Sequence, residues 1–342
     1  MKDIFAIDVG SGTQDILVTD PKMKGIKAKI VMPAPTRLFA AKIRSSDNDV
    51  FCDGYTMGGG ALTGALMDHA EKHRVVMTEE AARTVRDDLD QVRERGIEIG
   101  DESLIAGDHA MYTLMDVNMD SFRSAFEMMN YTLPGPEDLV IAVAVQDHGS
   151  APRGVSDREF RFDQIGSKIK KGATFKDFII TEKTPVYTRA SAVIQSLRDR
   201  GYMNILIMDT KIAGIFGGLY GEELPAIVMD VGNGHTTAAS IAADGSIVGV
   251  FEHHTASLTP DKMRDYIERL ASGTLTNKEV FDDEGHGAYI REPISPKSII
   301  ATGPRRDKAL KTGLSIKYAT PLDDVYMVGP VGMVRAYQAM QK

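Results

Sequence analysis

The sequence has no tryptophan and a single cysteine, Cys52. One thiol excludes an intramolecular disulfide, a cysteine-rich zinc site and an iron–sulfur cluster held by this chain's own sulfurs. It fits a reducing, cytoplasmic setting. Runs of about 18 uncharged apolar residues, the length of a membrane span, are also missing. The start, Met1-Lys2-Asp3-Ile4-Phe5, meets an acidic residue too early for a secretory apolar segment, so neither export nor a membrane partner is expected. An excess of positive charge is absent too. Lys and Arg number 40 against 48 Asp and Glu, a net charge of −8, which argues against a nucleic-acid partner. What remains is ordinary globular composition, 43% hydrophobic and 26% charged. Its 342 residues exceed what one core usually serves, so two domains are expected.

The most informative feature present is an internal echo. Phe5-Ala6-Ile7-Asp8-Val9-Gly10-Ser11-Gly12-Thr13-Gln14-Asp15-Ile16-Leu17-Val18 lies near the start. Its shape returns in Ile227-Val228-Met229-Asp230-Val231-Gly232-Asn233-Gly234-His235-Thr236-Thr237-Ala238-Ala239-Ser240-Ile241. Each copy is an apolar run, then Asp-Val-Gly-x-Gly, then a polar triplet and a second apolar run. This reads as two antiparallel strands joined by a glycine-rich turn. Glycines let backbone N–H groups approach a phosphate with no side chain in the way. A carboxylate at the strand end, Asp8 or Asp230, suits Mg²⁺ held through water. One such hairpin is common. Two form a pincer for a triphosphate, with Gly10, Ser11, Gly12 and Thr13 on one jaw and Gly232, Asn233, Gly234, His235 and Thr236 on the other.

Further strands are expected at Leu139–Val145, apolar throughout and hence interior, at 178–180, and at 204–208. The last runs into a helix of small residues at 210–219. Other helices are expected at 64–73, 79–95, 120–130, 188–200, 260–270, 306–312 and 332–340, and residues 85–135 read as a helix-rich insertion capping the first lobe. Residues 298–306 read as a buried strand ending in Gly303, with Pro304 opening a helix, a turn that approaches a ligand's base or sugar. Asp147 and His148 end the strand 139–145, where ligands of open α/β sheets gather. They are candidate acid/base groups or metal ligands, although neighbours on a strand point to opposite faces. The glycines of 57–64 offer an anion loop or a linker turn. Arg153, Arg158 and Arg161 are candidate clamps for an anionic substrate, or solvated charges. His253, His254 and His286, with Asp282, Asp283 and Glu284, offer ligand types for Zn²⁺, Mn²⁺ or Fe²⁺, with their convergence left open.

Taken in order, these motifs resemble those of the acetate and sugar kinase, heat-shock chaperone and actin superfamily. The resemblance makes 8–15 the first phosphate loop, 230–237 the second and 299–303, with Gly303, the adenosine motif. It makes 204–219 the connecting strand and helix. It implies an α/β fold of two actin-like, ribonuclease H-like lobes with mixed sheets and an interlobe nucleotide cleft for ATP and Mg²⁺. The first lobe would span 1–221 and the second 222–324, with the helix of 325–342 returning to the first. Many sugar kinases of this superfamily carry a catalytic Asp in the second loop, where this chain has Asn233 and His235. More finely, the chain resembles a family labelled pyruvate formate-lyase activating enzymes. That label implies radical chemistry on a cluster held by three thiolates, which Cys52 alone cannot supply.

The expected function is Mg²⁺–ATP binding coupled through lobe closure to action on a protein or small-molecule substrate, with slow hydrolysis. Asp8 and Asp230 would serve the metal and the attacking water. Two alternatives stand beside it. One is a small-molecule kinase of the same fold with Asp147 as base, the other a non-catalytic scaffold with a degenerate nucleotide site. Sequence leaves the partner and the oligomeric state open.

Overall fold

The computed structural model describes residues 2–105, 107–152 and 154–341, without the side chains of residues 157 and 158. Arg153 therefore lies outside the described residues, as does the side chain of Arg158.

β1 (Asp3–Val9) and β2 (Thr13–Thr19) pair antiparallel, and β3 (Ile26–Pro33) continues the meander. In β1, Ile4 and Ala6 enter one core while Phe5, Ile7 and Val9 enter another. That is the period of two of a strand covered on both faces. The chain then leaves this sheet for a separate layer. It runs through α1 (Pro35–Arg44), β4 (Asp49–Gly54), α2 (Ala61–Ala70), β5 (Val75–Met77), α3 (Glu79–Ala82), α4 (Leu89–Arg93), β6 (Glu98–Ile99) and β7 (His109–Leu114). The four strands form an all-parallel sheet, ordered β6-β5-β4-β7, around its own core. Residues 85–135, expected as a helix-rich cap, thus supply two strands. β6 has two residues and β7 is half-exposed along most of its length, so neither carries the apolar run that marks a strand.

The chain returns through α5 (Met119–Met128) to β8 (Leu139–Val145), which lies parallel to β1. Then follow α6 (Asp157–Lys170), α7 (Thr188–Arg198) and β9 (Ile205–Asp209), completing the order β3-β2-β1-β8-β9. All of β8 is buried, as its unbroken LVIAVAV run requires. Residues 178–180, expected as a strand, give a single bridge from Ile180 to Ile207 after a 3₁₀ turn at Phe175–Phe178. Phe175 and Phe178, three apart, both sink into the core, a spacing that suits a helical turn.

α8 (Thr210–Gly218) leads to the second lobe. It contains β10 (Ala226–Val231), β11 (His235–Ile241), β12 (Ile247–His254), α9 (Pro260–Ser272), α10 (Asn277–Asp282), β13 (Gly287–Ile290), β14 (Ser298–Thr302), α11 (Asp307–Leu310) and β15 (Ile316–Tyr318). The strand order is β13-β12-β11-β10-β14-β15. Apart from β13 at the edge, it repeats the first sheet: an antiparallel meander, then two parallel strands beside the first. Two sheets of one order and one set of directions make a two-lobed, actin-like architecture. α12 (Val328–Met340) packs on α8 and against β1 and β8. Where α8 and α12 cross, a Cβ on Gly217 would lie 1.7 Å from the Val328 carbonyl oxygen. One on Gly332 would lie 2.0 Å from that of Ala213. Around this crossing, Ala6 and Ala142 of the first sheet and Val228 and Ala239 of the second share one core. The lobes are joined by packing as well as by chain.

Candidate functional site

The two glycine-rich turns are closed by the same bond. Gly10 N–H donates to Thr13 O at 2.9 Å, and Gly232 N–H to His235 O at 3.0 Å. They face each other, since a Cβ on Gly12 would stand 3.7 Å from Asn233 Nδ2. Ser11, Asn233 and Gly234 are exposed at the tips. Thr236, expected among the phosphate contacts, is buried. Its hydroxyl pairs with that of Thr255 at 2.9 Å, and Thr255 donates to the Gly232 carbonyl at 2.9 Å. Alternation along β11 turns it away from His235, so it braces the turn from behind.

The start of α8 joins the two aspartates. Asp209 at the end of β9 caps the helix by accepting from Lys211 N–H at 2.9 Å. Thr210 Oγ1 donates to Asp8 Oδ1 at 2.6 Å, and Lys211 Nζ to Asp230 Oδ2 at 2.8 Å and to the His235 carbonyl at 3.2 Å. Consecutive residues thus reach one carboxylate in each lobe. Burial pushes Asp8 up to about 8; the Thr210 bond and Lys211 oppose this, while Asp15 and Asp230 add to it. Asp15, opposite Asp8 in the hairpin, is pushed up to about 6, chiefly by burial. Asp8 thus feels two other carboxylates and one ammonium, a deficit of positive charge that Mg²⁺, a hard ion preferring oxygen ligands, would fill. Gly303 has φ +90°, and a Cβ there would lie 2.5 Å from Asp230 Oδ1. The end of β14 is therefore pressed against the second aspartate, and Arg305 Nε donates to Asn233 Oδ1 at 3.2 Å.

Asp147 and His148 part company. Asp147 accepts from Gly149 N–H in its own loop through Oδ1 and from Ala190 N–H in the first turn of α7 through Oδ2, each at 2.9 Å, so both oxygens are taken by backbone. Arg189 beside it holds Asp116 through two bonds of 2.7 and 2.8 Å. Of the glycines of 57–64, Gly58 packs against this arginine, a Cβ there falling 2.8 Å from its Nη2. Such packing leaves Gly58 in a structural rather than an anion-binding role. His148 instead lies within electrostatic reach of Arg161, Glu252 and His235, and burial lowers its pKa.

Arg161, a candidate substrate clamp, is buried and fully engaged. It donates to Glu252 Oε2 at 2.7 Å and to both oxygens of Asp209 at 3.1 Å, tying β12 of one sheet to the end of β9 in the other. Burial opposes the charge on Glu252, but Arg161 and its neighbours hold it well below the usual carboxylate range. Replacing Arg161 by Met would leave two recessed carboxylates without their counter-ion. Arg161→Met is expected to destabilise the protein by about 3–5 kcal/mol, read from urea melts. A melt like that of the wild type would contradict this.

Beside Glu252 lies a cluster of imidazoles. His235 on β11 pairs with His254 on β12, on the same face as Thr237 and Glu252. His286, just before β13, donates its backbone N–H to the Glu252 backbone carbonyl at 2.8 Å. The three ring centroids are 4.4, 4.9 and 5.0 Å apart. Burial pushes His235 down to about 4 and His286 down to about 3, so both are neutral at pH 7. His253 is not part of the group. It faces the other side of β12, its Nε2 at 2.9 Å from the Asp283 carbonyl and 3.0 Å from Asp283 Oδ2. Of His253, His254 and His286, whose convergence the sequence left open, the last two come together, and the third ring beside them is that of His235.

Sequence reasoning passed over Thr210, Lys211 and Glu252 as site residues. For Lys211 a signal existed, the only charge in an otherwise small and apolar helix. Cys52 lies inside the core of the parallel four-stranded sheet, its thiol pushed up to about 12 by burial.

Among solved structures, the chain is similar to EutJ, an ethanolamine utilization protein from Carboxydothermus hydrogenoformans. They share 13% identity over 97% of this chain and 88% of that one, with a TM-score of 0.36. It is also similar to component A of the (R)-2-hydroxyglutaryl-CoA dehydratase of Acidaminococcus fermentans (10% identity, 100% of both chains, TM-score 0.37). A third is the activator of the 2-hydroxyisocaproyl-CoA dehydratase from Clostridium difficile with bound ADPNP (9% identity, 99% of this chain and 97% of that one, TM-score 0.34). No curated protein matches the sequence. A family model, described as "Putative pyruvate format-lyase activating enzyme (DUF1786)", matches residues 57–308, most of the chain, and the chain belongs to that family.

Proposed function

We propose that this protein binds a Mg²⁺–nucleoside triphosphate, ATP in the first instance, between its lobes and couples binding or slow hydrolysis to lobe movement. The observation that carries this reading is the joining of Asp8 and Asp230 through Thr210 and Lys211, beneath two equivalent glycine turns. With Gly10 and Gly232 N–H spent on closing the turns, the N–H groups at their tips, 11–12 and 233–234, suit phosphate oxygens, with Lys211 as a fixed positive charge. Asp8 and Asp230 would hold Mg²⁺ through water. The ion, when bound, supplies charge neutralisation of the phosphates. Gly303, pressed against Asp230, would bound the nucleoside. Closure about the α8–α12 crossing would carry the binding signal to a protein or small-molecule partner.

The chemistry in the family's description does not fit the donor set. A radical activator needs three thiolates for its cluster, and the one thiol here is buried in the core of the parallel four-stranded sheet. The kinase alternative is weakened by Asp147, whose two oxygens are both taken by backbone N–H groups.

The test is calorimetric titration with Mg²⁺–ATP, using ADP as comparator and GTP as control; without tryptophan, heat is the better signal. Saturable binding at one site per chain, lost when EDTA removes Mg²⁺, is the expected result. A folded protein that takes up no nucleotide would favour the scaffold alternative.

A further inference from the structure

We infer that His235, His254 and His286 form a three-histidine site for a divalent transition-metal ion of the zinc class, with a fourth coordination position left open. The inference stands apart from nucleotide binding and concerns different side chains, apart from His235 at the edge of the second turn.

The geometry is that of a ligand set. Strands β11 and β12 each bring one imidazole to the same end of one face, and His286, in the turn just before β13, packs its ring against both. The nitrogen atoms they offer all lie within 4.8 Å of one another. Around a zinc ion with bonds of about 2.0–2.1 Å the nitrogens would need to draw together only by side-chain rotation.

The hydrogen bonding is incomplete without a ligand. His286 is 3% exposed, and neither of its ring nitrogens has a hydrogen-bond partner. Glu252 Oε1, fully buried, is also without one and stands 3.1 Å from His286 Nδ1. Burying such groups unsatisfied costs about 1–3 kcal/mol each. A metal ion on one nitrogen of His286 would satisfy that atom and leave the other ring N–H for Glu252. A carboxylate that orients a ligating histidine is a recurrent companion of zinc. Glu252 is in turn fixed by Arg161 at 2.7 Å and Thr237 at 2.8 Å on its other oxygen.

The donor chemistry selects the ion. Three imidazoles suit Zn²⁺, Co²⁺ or Fe²⁺, whereas Mg²⁺ and Ca²⁺ prefer oxygen. Three protein ligands with an open fourth position characterise catalytic rather than structural zinc, and water or an anion's oxygen would take that place. His235 also closes the second glycine turn through its carbonyl, so the ion would stiffen the turn.

The experiment strips the purified full chain with a chelator and titrates it with Zn²⁺ by calorimetry and with Co²⁺ by visible absorbance. One equivalent of Zn²⁺, a tetrahedral Co²⁺ spectrum and a raised melting temperature are expected. His254→Ala and His286→Ala should each bind at least about 100-fold more weakly, while His109→Ala, in the insertion, should bind like the wild type. Circular dichroism checks that the metal-free variants fold, with His254→Gln and His286→Gln as milder replacements. Wild-type protein that takes up no stoichiometric Zn²⁺ and gives no tetrahedral Co²⁺ spectrum would overturn the inference. So would equal affinity in folded His254 and His286 variants.

Discussion

Asp8→Asn is expected to weaken Mg²⁺-dependent nucleotide binding by at least about 100-fold, some 2.7 kcal/mol, without lowering the melting temperature. The two halves of this expectation have one cause. Asp8 is recessed, with Asp15 and Asp230 both adding to the burial that raises its pKa to about 8. Without a cation its carboxylate is a burden on the fold. Asparagine keeps an oxygen to accept the Thr210 hydroxyl at nearly the same place. It removes the charge that a metal ion needs, so stability is kept or gained while the cation is lost. Calorimetry with Mg²⁺–ATP and a thermal melt of the same sample read both halves. Nucleotide affinity unchanged in the variant would remove Asp8 from the site, and a large fall in melting temperature would mean that its role is structural.

Gly332→Ala is expected to cost at least about 3 kcal/mol, lowering the melting temperature by at least about 4 °C. The added methyl would sit 2.0 Å from the Ala213 carbonyl oxygen. That atom is backbone, so relief requires α8 and α12 to move apart. Because α8 delivers Thr210 and Lys211 to the two aspartates, the same movement should also loosen nucleotide binding. Gly64→Ala is the matched control. It lies within α2, its nearest non-local neighbour the end of Arg44 at 3.8 Å from the new Cβ. There the better helix propensity of alanine should stabilise by about 0.5–1 kcal/mol. Differential scanning calorimetry distinguishes the two. Equal melting temperatures for both variants would mean that the crossing yields more easily than its backbone contacts imply.

The duplicated hairpins were readable because everything that makes them is local. Alternating apolar residues, a glycine turn and a strand-end aspartate lie within fifteen positions, and the repeat supplies its own control. β8 was readable for a related reason, since a strand covered on both faces is apolar throughout. The four-stranded parallel sheet escaped notice. Its strands are short and partly exposed, and its core, from Ala40 to Leu114, is assembled from pieces none of which has a strong period.

Chain chemistry alone therefore determined the two duplicated hairpins and the buried strand β8. It also determined that one thiol could not hold a cluster. Only the tertiary structure decided which neighbours share a face. His253 and His254 are adjacent in sequence, yet the first is bound to Asp283 and the second meets His235 and His286. Asp147 and His148 divide in the same way between a helix cap and the cleft. The physical reason is that a side chain's direction follows from local alternation, whereas its company follows from the register of strands far apart in the chain. Asp8 and Thr210 meet across the first sheet because β1, β8 and β9 run parallel and in step, an arrangement written in no single segment.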